Sequence, residues 1–337
     1  MNKLSKLILI NALVFILLLG LIEGITRVLI PAQKINPVFN EPTLRTQGRP
    51  YVQEHPERGF AMVPGFKNEL YNIQQDGFRY NGQQPEYASK TILLMGESTT
   101  FGWIVQDQHT YPYYLQQIMA VNTPGLKVIN AGIPSYTSSQ VLEYMREILQ
   151  SNKVKPDLML VNILWNDIWY STITNWHSDM LIYQKPPLWL SFLTQHSRFF
   201  YALNMGFKPE QQLVNIENPK AMAYYLQNID KMIQLAKEHG SEIAFVEAPV
   251  DGDHIPAQGL NEFHVRYTKD FLIATAKQYQ QKQLKLLQQQ QVKLISHRLG
   301  IQNLHQNRLF LDLLHPTPEG NKMMAEDVAK ETYSLIN

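Results

Sequence analysis

Two separate motifs contain the residue types that nucleophilic chemistry needs. Ser98 stands in the sequence Gly-Glu-Ser directly after the apolar run Thr91–Met95, and α/β sheets bind ligands beyond the carboxyl ends of their strands. Asp312 and His315 are three residues apart, so the carboxylate can hold one ring nitrogen and leave the other free as a base. Taken alone, each motif also fits a structural role: Ser98 as a helix cap, and the Asp-x-x-His sequence as a surface turn.

Two further motifs supply hydrogen-bond donors that an oxyanion could use. Gly132 ends the sequence Asn-Ala-Gly, and Asn166 stands in Leu-Trp-Asn-Asp; each motif closes a predicted strand. A glycine backbone N–H and an asparagine amide are both suitable donors to an oxyanion. Each motif alone also fits an ordinary exit from a strand into a loop.

From residue 90 onward, short apolar runs alternate with amphipathic segments. The predicted strands are Thr91–Met95, Lys127–Asn130, Leu158–Leu164, Glu242–Val246 and Val292–Ile295, and the predicted helices are Tyr111–Val121, Ser138–Leu149 and Ala221–His239. Thr137 with Gln140 predicts a capping box, and Thr317 with Pro318 predicts the start of the last helix. The alternation predicts a three-layer α/β/α fold with a mainly parallel sheet. The strand-end motifs then share one edge of that sheet.

Taken together, the four motifs resemble the SGNH (GDSL-type) hydrolase family, whose sequence blocks carry Ser, Gly, Asn and Asp-x-x-His in this order. The resemblance runs from about residue 90 to the C-terminus. It implies that His315 takes the proton of Ser98, that Ser98 attacks an ester carbonyl to form an acyl-enzyme, and that Asp312 stabilises the imidazolium.

The resemblance also implies an oxyanion site and contains two departures from the family pattern. The implied donors are the backbone N–H groups of Ser98 and Gly132 and the amide of Asn166, and no metal or other cofactor is needed. Glu97 stands where the family has Asp, and Trp165 stands where Gly often precedes the Asn. Glu97 keeps the negative charge, but its hydrogen bonding around the Ser98 turn is expected to differ.

The N-terminal segment predicts a membrane anchor over residues 1–30. Leu7–Ile22 contains no charged residue and follows Lys3 and Lys6, and a spanning helix needs about 17–25 predominantly apolar residues. No Ala-x-Ala sequence follows the run, so we expect an uncleaved signal anchor, with a cleaved signal peptide as the alternative. The two lysines favour a cytoplasmic N-terminus and an extracytoplasmic catalytic part, on the periplasmic or cell-surface side.

The remaining chain divides by composition. Residues 31–85 predict a proline-rich tether and a hairpin packed on the main domain, and residues 86–337 predict the hydrolase domain. Trp103 and Trp165 stand beside the Ser98 and Asn166 motifs, and an insertion at residues 168–218 is rich in Trp, Tyr and Phe. These rings either cover an acyl chain or a sugar ring near the ester site, or form a helical lid with a small core of its own. Asp251–His254 predicts a turn rather than a metal site, because no second ligand pair follows at usable spacing.

Composition excludes several classes of function. The 337 residues include no cysteine, which excludes disulfides, thiolate nucleophiles and Cys-ligated metals. Thirty Lys and Arg against 29 Asp and Glu give no general attraction to nucleic acid. The sequence therefore predicts a membrane-anchored serine esterase acting on an O-acyl group of a cell-envelope glycan or on another small ester. The alternatives are an O-acyltransferase with the same site, and a catalytically silent, membrane-tethered protein for glycan binding or assembly.

Overall fold

The computed structural model describes most of the chain as two compact units. The described residues are 3–29, 45–46, 49–171, 192–193, 196–200, 203, 218–255, 260–262, 265–304 and 307–336. One unit comprises Met1–Pro42 with Tyr183–Glu210, and the other comprises Thr43–Ile182 with Gln211–Asn337. The larger unit therefore includes the segment from residue 43 to 85 and the predicted hydrolase domain except its residues 183–210.

The regular elements of the described residues follow in chain order. The strands are β1 Arg45–Thr46, β2 Arg49–Pro50, β3 Val52–His55, β4 Gly59–Met62, β5 Lys90–Gly96, β6 Leu126–Gly132, β7 Leu158–Asn162, β8 Glu242–Val246, β9 Leu260–Glu262, β10 Val265–Tyr267 and β11 Lys293–Ile295. The helices are α1 Lys3–Leu29, α2 Ser98–Phe101, α3 Tyr111–Ala120, α4 Ser138–Ser151, α5 Trp165–Ser171, α6 Pro219–Glu238, α7 Lys269–Gln289 and α8 Pro318–Ile336. Short 3₁₀ helices lie at Asp107–His109, Gly252–His254 and Asn307–Leu309.

A five-stranded sheet forms the centre of the larger unit, with strand order β11-β8-β7-β5-β6. All four strand pairs are parallel, and helices cover the sheet, so the predicted α/β fold is confirmed. β5 pairs with both β6 and β7, so the strand order reverses there. The carboxyl ends of strands at such a reversal form the crevice in which open α/β sheets bind ligands.

The core between the sheet and its helices explains why these segments fold as they do. Residues four apart on α3 present one apolar face, and that face packs with the strands and with α8. The buried members of this cluster include Ile92, Leu94, Tyr111, Leu115, Met119, Leu160, Met324 and Val328. The predicted capping box of Thr137 and Gln140 is present at the start of α4. Pro318 opens α8 as predicted, where Thr317 Oγ1 accepts the N–H of Gly320 at 3.2 Å.

The segment before β5 covers the edge strand β6. β3 and β4 form an antiparallel hairpin, ahead of the place around Asp76–Gly77 where the sequence pattern puts the predicted one. The chain then turns at Asp76–Gly77, with a β-bridge between Ile73 and Arg79, and the N–H of Arg79 donates to the carbonyl of Asn130 on β6 at 3.1 Å. Of the predicted tether, residues 31–44 lie outside the described residues.

The smaller unit contains α1, an apolar helix of 27 residues with no buried residue. It is long and apolar enough to cross a membrane, and a signal sequence would have the same properties. At its end, the Glu23 carboxylate accepts the N–H of Arg198 at 2.9 Å and of Phe199 at 3.1 Å. Most of the predicted insertion at 168–218, including Trp176 and Trp189, lies outside the described residues.

Candidate active site

Ser98 begins the short helix α2 immediately after β5. The chain turns there through Gly96, where a side chain would place its Cβ 2.2 Å from the carbonyl oxygen of Asn162 on β7. The amide oxygen of Asn162 accepts the hydroxyl of Thr99 at 2.7 Å, which ties α2 to β7. Ser98 is partly exposed, and its N–H donates to no acceptor within the part of the chain that is described. The turn therefore presents both a hydroxyl and a backbone donor at the sheet edge.

The loop before α8 folds Asp312 around His315. One carboxylate oxygen of Asp312 accepts the backbone N–H groups of Leu314 and His315, each at 2.8 Å. The imidazole Nδ1 of His315 lies 2.7 Å from the other oxygen. Burial raises the pKa of Asp312, but the hydrogen bonds and charge of His315 and the two backbone N–H groups outweigh it and hold the pKa below its ordinary value. The carboxylate is therefore ionised at neutral pH.

The second nitrogen of this imidazole meets the serine hydroxyl. His315 Nε2 lies 2.8 Å from Ser98 Oγ. A carboxylate without a proton can only accept, so Nδ1 carries the imidazole hydrogen toward Asp312 and Nε2 accepts the hydroxyl of Ser98. The structure thus brings the three residues Ser98, His315 and Asp312 into one continuous line of hydrogen bonds. This line can move the hydroxyl proton to the imidazole as the serine oxygen attacks a carbonyl carbon.

Glu97 connects this turn to the helix that carries Asn166. Its buried carboxyl group accepts the backbone N–H groups of Leu164, Trp165 and Asn166 at 3.0–3.1 Å, so it caps the N-terminus of α5. Burial raises the pKa of Glu97 to about 8, against the lowering effect of these hydrogen bonds. The longer side chain of Glu97, compared with the Asp of the family pattern, thus connects the serine turn to the start of α5.

Asn166 lies in the first turn of α5 rather than in an extended segment. Its amide Nδ2 donates to the carbonyl of Tyr136 at 2.9 Å and has a second N–H. The predicted strand Leu158–Leu164 therefore ends early, at Asn162. The neighbouring Asp167 accepts the N–H and the hydroxyl of Ser138 at 2.8 and 2.6 Å, so it holds the start of α4.

The N–H of Gly132, the third predicted oxyanion donor, has an acceptor within the protein. Its N–H already donates to the side-chain oxygen of Asn130 at 3.1 Å. A Cβ at this position would lie 2.3 Å from the backbone nitrogen of Phe101. Gly132 therefore lets β6 approach α2 closely, and its N–H is hydrogen-bonded to Asn130 of the same strand.

Two side chains surround the serine and histidine: Trp103, which the sequence already placed beside the Ser98 motif, and Arg79, which it did not indicate. The Trp103 ring packs on the His315 imidazole, with 4.7 Å between ring centroids and 59° between planes. The buried Arg79 guanidinium donates to the carbonyls of Phe101, Gly102 and Val105 in the same loop. The only sequence signal was the position of Trp103 five residues after Ser98, because Arg79 reaches this loop through the tertiary fold.

The second Asp-x-x-His sequence forms the predicted turn. Asp251 caps the 3₁₀ helix Gly252–His254, and its carboxylate lies 2.9 Å from Nδ1 of His254. The Asp251 N–H donates to the carbonyl of Leu313 at 2.8 Å. No group of three or more His, Asp or Glu side chains that could hold a metal ion occurs among the described residues.

The described site, with its serine, histidine and aspartate at the carboxyl edge of a parallel sheet, has the arrangement of a serine hydrolase of α/β fold. Residues 94–323 match the model of the GDSL-like lipase/acylhydrolase family. The chain belongs to this family, which confirms the resemblance found in the sequence.

Several solved structures are similar to this chain at low identity. A member of the lipolytic protein G-D-S-L family from Veillonella parvula is 14% identical, with a TM-score of 0.46, covering 73% of this chain and 99% of its own. A GDSL-like lipase from Bacteroides thetaiotaomicron is 17% identical, with a TM-score of 0.44 and coverages of 73% and 88%. The psychrotrophic esterase EstA from a Pseudoalteromonas species is 13% identical, with a TM-score of 0.46 and coverages of 74% and 100%. The comparison with curated proteins gave no match.

Proposed function

We propose that the protein is a membrane-anchored serine esterase that works through an acyl-enzyme. The observation that carries this proposal is the hydrogen-bond line from Ser98 Oγ to His315 Nε2 at 2.8 Å and from His315 Nδ1 to Asp312 at 2.7 Å. Ser98 attacks the ester carbonyl, His315 takes its proton and passes it to the leaving alcohol, and Asp312 stabilises the imidazolium. Water then releases the acyl group by the reverse proton path.

The oxyanion of this reaction is assigned to two donors. The N–H of Ser98 lies on the nucleophile itself, and the second N–H of the Asn166 amide is the other donor. The hydrogen bond from Nδ2 to the Tyr136 carbonyl fixes the plane of that amide. Gly132 supports these donors by allowing close packing of β6 on α2 rather than by donating itself.

The proposed substrate is an O-acyl group on a cell-envelope glycan or another small ester. The N-terminal helix α1 would hold the enzyme at the membrane, where an envelope polymer is within reach. Lys3 and Lys6 precede the apolar run, which supports a cytoplasmic N-terminus and an extracytoplasmic catalytic unit. An intact line of serine, histidine and aspartate also favours catalysis over a purely binding role.

Hydrolysis of a short-chain aryl ester by the full chain tests this proposal. Ser98→Ala and His315→Ala should each lose turnover by about 10³-fold or more, as in other serine hydrolases. The matched control is His254→Ala, because His254 also pairs with an aspartate three residues earlier but forms no hydrogen bond with Ser98. Wild-type turnover in Ser98→Ala would overturn the assignment of the nucleophile. A loss in His254→Ala as large as that in His315→Ala would overturn the assignment of His315 as the base.

A further inference from the structure

The loop that follows α2 contains a backbone conformation that its residue type disfavours. Ile104 has a φ of 61°, in the left-handed region where a β-branched residue is a genuine outlier. Its side chain is nonetheless 37% exposed, so packing of the isoleucine into the core does not account for the strain. Such strain persists only where surrounding structure enforces it, and it clusters at functional sites.

Two buried residues of the segment before β5 enforce this conformation. The hydroxyl of Tyr71 accepts the N–H of Ile104 at 3.0 Å. The guanidinium of Arg79 donates to the carbonyls of Gly102 and Val105 at 2.6 and 2.7 Å, on either side of the strained residue. The loop is thus held from both sides, and Ile104 is directed outward at a fixed place.

That place lies beside the reacting groups. The N–H of Trp103 donates to the backbone carbonyl of Ser98 at 3.0 Å, and its ring packs on the imidazole of His315 at 4.7 Å between centroids. Ile104 is the next residue along the chain. The chain therefore places an exposed apolar residue directly after the partly exposed indole that packs on the imidazole.

The chemistry decides which half of the ester meets this surface. As the bond from Ser98 Oγ to the carbonyl carbon forms, the serine proton moves to Nε2 of His315. The imidazolium then returns that proton to the alcohol oxygen as the bond from carbon to that oxygen breaks. The leaving alcohol must therefore lie next to Nε2 of the imidazole on which the Trp103 ring packs.

We propose that Trp103 and Ile104 form the binding surface for the alcohol half of the ester, and that this alcohol has an apolar ring face, as a pyranoside does. An aromatic ring and an aliphatic side chain offer contact area to such a face. This inference rests on the proposed esterase function, and it adds that the alcohol half of the substrate determines specificity.

The test compares Ile104→Gly with wild type on acetates of different alcohols. Glycine adopts positive φ without strain, so this variant should fold with an unchanged or higher thermal midpoint. The readout is kcat/KM for cyclohexyl acetate and for a methyl 6-O-acetylglucopyranoside, each divided by kcat/KM for methyl acetate. We expect both ratios to fall by about tenfold, which is the scale of lost apolar contacts in a specificity pocket. The ratio of methyl butyrate to methyl acetate should stay constant, because the acyl half lies elsewhere.

Gln291→Gly is the matched control, since Gln291 has a φ of 57° and lies between α7 and β11, away from the serine turn. It relieves the same kind of backbone strain and should leave all three ratios to methyl acetate unchanged. A fall of less than about fivefold in both alcohol ratios for Ile104→Gly would overturn the inference, as would an equal fall in the acyl ratio. Failure of the wild-type chain to cleave any ester, or cleavage by Ser98→Ala, would instead overturn the proposed function.

Discussion

Asn166 makes one contact through its backbone and another through its side chain. Its N–H donates to the Glu97 carboxylate at 3.0 Å, and its amide Nδ2 donates to the Tyr136 carbonyl at 2.9 Å. The backbone contact depends on the fold alone, and only the amide can serve the oxyanion. Replacing the side chain therefore separates the two roles.

Asn166→Ala should reduce kcat by about 10²-fold or more with little change in KM, as for other oxyanion donors. The reason is that the hydrogen bond to the carbonyl oxygen strengthens as that oxygen becomes an oxyanion, so its loss affects the transition state most. Steady-state kinetics on a short-chain ester measures both constants, and the thermal midpoint of the variant shows whether the fold is retained.

The control for this variant is Asn228→Ala. Asn228 is a buried asparagine on α6 whose amide donates to the hydroxyls of Ser138 and Ser139, each at 2.9 Å. It should lose stability and keep most of its kcat. Asp167 does not serve this purpose, because it holds the N-terminus of α4 through Ser138. A loss of kcat in Asn166→Ala no greater than in Asn228→Ala would remove Asn166 from the oxyanion site.

At the scale of elements, Glu97 joins two helices that carry parts of the site. It precedes α2 and caps α5, so the positions of Ser98 and Asn166 depend on one carboxyl group. Three buried N–H groups would lose their acceptor without it, and each unsatisfied buried donor costs about 1–3 kcal/mol. The Gly-Glu-Ser sequence is therefore both a strand end and a helix cap.

The burial of Glu97 should make the stability of the fold depend on pH. Its folded pKa of about 8 lies above the ordinary value of 4.5, so the folded state binds this proton more tightly than the unfolded state does. Raising the pH between these two values therefore favours unfolding, and the effect ends above the folded pKa. Glu97→Gln cannot titrate. The difference in thermal midpoint, wild type minus this variant, should decrease as the pH is raised from 5 to 8. A difference that stays constant over this range would contradict the raised pKa of Glu97.

The sequence predicted the elements that local pattern determines and missed those set by tertiary contacts. Alternating apolar runs located all five sheet strands, and strand ends of a parallel sheet converge, which is why Ser98 and Asn166 could be paired in advance. The predicted strand Leu158–Leu164 was too long by two residues, because Trp165 already begins a helix capped from Glu97. Arg79 lies in an irregular segment, so no periodic pattern linked it to the loop of Trp103. Two Asp-x-x-His sequences have equal spacing, and spacing alone could not tell which histidine meets Ser98.

At the scale of the whole molecule, α1 is the element that bears on where the proposed esterase works. None of its residues is buried in the structure, and a helix that exposes apolar side chains all round is suited to a lipid environment. An uncleaved anchor and a cleaved signal differ in one observable, which is the presence of α1 in the mature chain.

The full-length protein should stay in the membrane fraction after a high-salt wash, because burial of an apolar helix is not screened by salt. Mass spectrometry of the mature chain should recover peptides from residues 3–29. Protease added to the outside of intact cells or spheroplasts should digest the catalytic unit if it is extracytoplasmic. A salt-soluble chain that begins after residue 29 would instead identify a cleaved signal.

The central claim is that Ser98, activated by His315, is the nucleophile, and covalent labelling tests it most directly. The full chain is incubated with an aryl phosphonate ester, which reacts with an activated serine and leaves a stable adduct, and the modified peptide is located by mass spectrometry. We expect one adduct, on Ser98, with labelling lost in His315→Ala and retained in His254→Ala. An adduct on a different serine, or labelling of Ser98 at an undiminished rate in His315→Ala, would contradict the account.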